Sequence, residues 1–139
     1  ARRPGVTLAI HLCRGNNQGK WLGEGGYEPI AESVFGGLEI DAFFLEYDSE
    51  RAGGFEPLRF LPKNKQVVLG IMTSKTGALE SKDQLKRRLD EAAKFADLDQ
   101  LCLSPQCGFA STEEGNLLAE AEQWAKLSRC VEVANEVWG

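Results

Sequence analysis

The sequence has 139 residues, which is one domain's worth of chain and too little for a multidomain enzyme. Apolar residues make up 42% and charged residues 27%, so it can build a core and reads as neither disordered nor membranous. Sixteen Lys and Arg against 21 Asp and Glu give a formal charge of −5, which argues against a nucleic-acid or anionic-membrane partner.

The first five residues, Ala1 to Gly5, lead straight into a strand-like run and show no signal-peptide core. That run is Val6–Leu12, the first of four apolar segments expected to be strands. Pro29 suits the first turn of a short helix over Glu28–Val34, with Gly36 and Gly37 ending it. The second strand is Ala42–Tyr47. The link that follows, Asp48–Gln66, holds at most a short helix around Glu56–Phe60. The third strand is Val67–Met72. Ser81 and Gln84 then match a capping box, and Leu85, Leu89, Ala92, Ala93 and Ala96 share one helical face. The fourth strand is Gln100–Ser104. A last helix is expected from near Thr112, or from after Gly115 and Asn116, to Trp138.

Strands alternating with helices give an α/β fold with a parallel sheet and right-handed crossovers. The strands are near-continuously apolar, which predicts burial on both faces. No run approaches the ~18 apolar residues of a membrane span. The usual phosphate-cradling glycine loops are missing, and Gly23, Gly25 and Gly26 match neither spacing. The four cysteines, Cys13, Cys102, Cys107 and Cys130, accompany a large core and no secretory signal. That points to a reducing cytoplasm, where cysteines are core residues, metal ligands or nucleophiles. Cys102 and Cys130, inside a strand and a helix, read as packing residues.

In parallel α/β folds chemistry collects at the carboxyl ends of strands. His11 and Cys13, two apart on a strand, share a face there. Glu46 stands at the end of the next strand, in an apolar run where a bare carboxylate is costly. Cys107 follows the fourth strand. Imidazole, thiolate and carboxylate are the donors a four-coordinate zinc takes. Each residue also has an ordinary reading. A lone histidine can be a hydrogen-bonded core residue and a cysteine a small hydrophobe. Glu46 could pair with Arg14 or Arg51. Asp48 and Glu50 are alternative carboxylates, but they are expected in a solvated turn with Arg51. The coincidence of the only histidine, two cysteines and a carboxylate at strand ends favours a metal.

Such a site constrains the sheet. Strands one and four of a flat sheet stand ~14 Å apart, too far for ligands on both to meet one ion at ~2.0–2.3 Å. In a closed barrel the inward side chains converge. The set therefore favours a barrel over an open flavodoxin-like sheet.

Three stretches carry a resemblance: Thr7–Cys13, Phe44–Asp48 and Leu103–Phe109. In this order, His-x-Cys, then Glu, then Cys-Gly, the chain resembles the C-terminal part of the catalytic barrel of cobalamin-independent methionine synthases. The resemblance spans the chain. It implies four βα units corresponding to the C-terminal half of a (β/α)8 TIM barrel, with zinc held by His11, Cys13, Glu46 and Cys107. Two thiolates and a carboxylate would leave that zinc site at −1. The implied chemistry is transfer of a methyl group from a methyltetrahydrofolate-type donor to the thiolate of an acceptor such as homocysteine, forming methionine. Tyr47 and Asp48 lie near the same rim as candidate substrate contacts.

The family's methionine synthases carry a histidine in the loop after the third of these strands, thought to help protonate the leaving folate. Here that loop reads Met72-Thr73-Ser74-Lys75-Thr76-Gly77, and His11 is the only histidine. Ser74 and Lys75 are the candidates to replace it. The resemblance thus also admits alkylation of another thiol, as in epoxyalkane:coenzyme M transferase. It further implies that the N-terminal half-barrel is absent from this chain, so that the chain alone is inactive. Either that half or a second copy, in a homodimer, is needed to close eight strands. Two rivals remain: a non-catalytic zinc-binding half-barrel that dimerises, and an open-sheet module whose strand-end residues are unconnected.

Overall fold

The computed structural model describes residues 3–13, 16–17, 20–21, 25–49, 52–110, 113 and 115–139. Arg14, Gly23, Glu50, Arg51 and Thr112 fall outside them. The elements are β1 (Ala9–Leu12), a small hairpin of β2 (Asn16–Asn17) and β3 (Lys20–Trp21), α1 (Glu28–Gly37), β4 (Ala42–Glu46), a 3-10 segment (Glu56–Phe60), β5 (Gln66–Met72), α2 (Lys82–Ala92), β6 (Leu101–Pro105) and α3 (Glu120–Trp138).

The main sheet is parallel, in the order β1-β4-β5-β6. Neighbours in space are thus consecutive along the crossovers, as in half of a (β/α)8 barrel. A flavodoxin-like sheet instead doubles back. The rival open-sheet module does not fit this order, nor the convergence of the strand ends described below.

Alternation sorts the strands into two faces. Phe43, Leu45, Val67, Leu69, Ile71 and Leu101 face the helices and are buried. They meet Ala31 and Phe35 of α1, Leu85, Leu89 and Ala92 of α2, and Val133 of α3 in one core. Phe35 packs edge-on against Phe43 with ring centroids 4.9 Å apart. Ser81 caps α2 as a full capping box, with Gln84 N donating to its hydroxyl and Ser81 N donating to the Gln84 side chain.

The opposite, concave face carries Ala9, His11, Ala42, Phe44, Val68 and Cys102, paired by register. Here the expectation of burial on both faces fails. Phe44 is 38% exposed, and β1 is exposed almost throughout. The concave face is thus open over Phe44 and β1, although Ala42 and Glu46 on it are buried, and among the described residues β1 has a strand on one side only.

Element ends shift for local reasons. β1 begins at Ala9, not Val6, because pairing with β4 starts at Ala42. α1 runs through Gly36 and Gly37, and its last turn is closed by Leu38 N on Val34 O. α3 begins at Glu120, where the Glu122 carboxylate accepts from Ala119 N.

Candidate metal centre

β1 carries His11 near its end, with Cys13 just past it, and β4 ends with Glu46. Glu46 is fully buried, while the His11 side chain is 40% exposed. Cys107 arrives from the loop after β6. Two features of the chain bring it there. Between Gly70 and Met72 the β5–β6 register slips by one residue, a bulge that re-aims the strand. Gly70 then lets the chain cross over β5. A Cβ at position 70 would lie 2.8 Å from the Gln106 Cα and 3.0 Å from the Leu45 carbonyl oxygen. Gln106 N donates to Met72 O at 2.8 Å, which fastens the crossing.

The donor atoms of His11, Cys13, Glu46 and Cys107 all lie within 4.8 Å of one another. Cys13 Sγ and Cys107 Sγ are 3.9 Å apart, Cys107 Sγ and His11 Nε2 3.9 Å, and His11 Nε2 and Glu46 Oε1 3.8 Å. Ligand atoms at ~2.0–2.3 Å around one tetrahedral ion stand ~3.3–3.8 Å apart, so these spacings fit a shared cation. The Cys107 thiol also donates to Glu46 Oε1 at 2.7 Å. Burial pushes the Cys107 thiol well above its ordinary pKa. The Glu46 carboxylate and Cys13 push it further. These neighbours hold Cys107 protonated, and a cation beside it reverses that.

Beside the four donors opens a cavity of about 640 Å³, lined among others by Phe44, Ser104, Gln106 and Gly108. It gives His11, Cys13 and Cys107 access to a ligand.

The other candidates lie elsewhere. Asp48 was expected in a solvated turn; its side chain is 1% exposed and pairs with Lys75 Nζ at 2.9 Å. Lys75 Nζ also donates to Gln106 Oε1, so the pair backs the loop that carries Cys107. Ser74 is buried, and its carbonyl accepts from Asn116 Nδ2. Tyr47 faces the helices, with its ring between Tyr27 and Phe55. Cys102 and Cys130 are partly buried packing residues, their thiols raised by burial. None of the four cysteines is in a disulfide. Among the described residues no helix is long and apolar enough to cross a membrane.

Sequence reasoning missed Gly70 and Tyr27. A glycine inside a β-branched strand signals a close backbone approach. Tyr27 carried no signal before the fold was known.

In sequence and fold the chain is similar to known proteins. The family described as cobalamin-independent synthase, catalytic domain, matches residues 8–136. The chain is 59% identical over 134 residues to the uncharacterized protein YxjG of Bacillus subtilis strain 168, and 57% identical to YxjH of the same organism. Those matches cover 96% of this chain but only 35% and 36% of the relatives. A Listeria monocytogenes protein described as a candidate vitamin-B12-independent methionine synthase superposes with a TM-score of 0.76 at 40% identity. That match covers 99% of this chain and 37% of the other. A B12-independent methionine synthase from Shewanella sp. W3-18-1, solved with selenomethionine, shares the fold with a TM-score of 0.74 at 24% identity, over 96% of this chain and 40% of that one. The chain therefore spans little more than a third of the relatives it matches, and it belongs to the cobalamin-independent synthase family, within its catalytic domain.

Proposed function

We propose that this chain provides the zinc-binding, C-terminal half of a catalytic barrel that transfers a methyl group from a methyltetrahydrofolate-type donor to a thiol such as homocysteine. One observation carries the reading: two thiols, an imidazole and a carboxylate from three separate segments converge within 4.8 Å. The donor set suits zinc, which takes sulfur, nitrogen and oxygen ligands in four-coordinate, tetrahedral geometry. When bound, zinc supplies acidification of a coordinated thiol, so that its sulfur is a thiolate near neutral pH.

The chain's own residues do the rest. Glu46, buried at the base, holds one side of the site fixed. His11 and Cys13 stand at its open side. Phe44 and Ser104 form the wall against which the acceptor's carbon chain rests. Lys75, buried beside Asp48 and Gln106 behind the loop that carries Cys107, is the candidate to deliver a proton to the departing donor, with Ser74 next to it. Asp48 acts by holding Lys75, and Tyr47 supports the rim from behind.

The uncovered concave face and the 35–40% coverage of relatives support a missing complement of four βα units. An N-terminal half supplies it most simply. A second copy would duplicate the metal site. Such an enzyme belongs in the cytoplasm, with reduced cysteines.

The test is elemental analysis of the purified 139-residue chain. About one zinc per chain, lost in Cys107→Ala, is expected. Zinc-free protein with the fold intact overturns the metal reading. Thiol methylation, assayed with and without an added N-terminal half, then separates an enzyme from a binding module.

A further inference from the structure

We infer that Tyr27 is a positioning residue for the metal ligands, a role that rests on the zinc reading above. Tyr27 immediately precedes α1 and is 4% exposed, although it sits far in sequence from every ligand. Its hydroxyl donates to Leu12 O at 3.0 Å and accepts from Glu46 N at 2.7 Å. Leu12 lies between the ligands His11 and Cys13, and Glu46 is itself a ligand. One phenol oxygen therefore bonds both strands at the level where the donors stand.

The location matters because β1 is held weakly there. The pairing of β1 with β4 ends at Leu12 opposite Leu45, whereas β4 stays joined to β5 past that level through Tyr47 N on Gly70 O at 3.0 Å. β1 is an exposed edge, and of its residues only Leu12 packs against the core. Tyr27, by contrast, is anchored. Its ring packs on Tyr47 with centroids 5.4 Å apart, and Tyr47 packs on Phe55 at 4.6 Å. Gly25, two residues before it, holds φ +125°, a backbone conformation that favours glycine. The helix-side core thus reaches through one hydroxyl to set the distance between the β1 ligands and Glu46. Hydrogen bonds that orient metal ligands typically carry ~10–100-fold in metal affinity.

Tyr27→Phe in the full chain tests this, because it removes one oxygen and keeps the ring. Zinc affinity by chelator competition is expected to fall ~10–100-fold, and the Co(II)-substituted protein to show altered thiolate and ligand-field bands. Phe35→Leu is the control. It thins the same core without touching either strand end, so it lowers Tm and leaves the Co(II) spectrum unchanged. Wild-type affinity and spectrum in Y27F overturn the role of Tyr27 while the zinc reading stands. So does an equal spectral change in F35L. A wild-type chain that takes up no metal overturns the zinc reading itself. Should Y27F not fold, 3,5-difluorotyrosine at position 27 keeps ring and hydroxyl but makes the phenol more acidic. A shifted Co(II) spectrum then supports the role, and an unshifted one overturns it.

Discussion

Glu46 and Cys107 are 61 residues apart in sequence, and the Cys107 thiol donates to Glu46 Oε1 at 2.7 Å. A carboxylate with no solvent exposure takes a proton donor as its neighbour. The same contact holds the thiol protonated, after burial has already raised its pKa.

Glu46→Gln keeps an acceptor but removes the charge. In metal-free protein the Cys107 pKa should therefore fall toward its ordinary value. Iodoacetamide labelling of Cys107 at about pH 8, followed by peptide mass spectrometry, should speed up several-fold. The raised folded pKa stabilises the metal-free fold below the unfolded thiol value of ~8.5, and that contribution is lost as pH rises toward the folded value. E46Q should flatten this alkaline loss, and slower labelling of Cys107 in E46Q would count against it.

Gly70→Ala places a methyl group against the Gln106 Cα and the Leu45 carbonyl, at 2.8 and 3.0 Å. Both obstacles are backbone, so the crossing loop must move. Overpacking of this kind costs ~1–3 kcal/mol. A lower denaturant midpoint together with reduced zinc content is expected, because Cys107 moves with Gln106. An unchanged zinc content in G70A would mean that the loop does not need the glycine.

Asp48 and Lys75 form a buried ion pair, with side chains 1% and 6% exposed. Removing one partner strands the other charge, at ~3–5 kcal/mol, whereas replacing both with apolar residues is often near neutral. Lys75→Met should thus be far less stable in urea than the double variant Asp48→Leu with Lys75→Met. Equal stability of the two would show that the pair contributes nothing.

The same pair shows where sequence reading stops. Hydrophobic runs and capping signals gave four strands and three helices, because burial and local hydrogen bonds are written in nearby residues. His11, Cys13, Glu46 and Cys107 were legible because a soft, acidic donor set at strand ends has few other uses. Asp48 looked solvated because its partner, Lys75, is 27 residues away across the sheet. Tyr27 was illegible for the same reason: its value lies in two backbone groups, Leu12 O and Glu46 N, whose positions only the fold creates. β1 misled in the other direction. Its apolar residues expect cover on both sides, which this chain does not itself provide.

Glu136 on α3 ties down α2. Its carboxylate meets Lys82 Nζ at 2.8 Å and also pairs with Lys86. The hydrogen bonds from Lys82 and Lys86 lower its pKa to about 2. A depressed carboxylate pKa stabilises the fold above the unfolded value of ~4.3, and the contribution disappears as pH falls through the folded value. The three side chains are more than a third exposed, so solvent screens the effect and salt weakens it. Glu136→Gln should therefore lower Tm slightly at neutral pH, with metal removed by chelator throughout. The gap from wild type should narrow below about pH 4 and close near pH 2, and 1 M salt should shrink it at every pH. A gap that persists at pH 2 would mean that Glu136 acts through packing of α3 on α2 rather than through its charge.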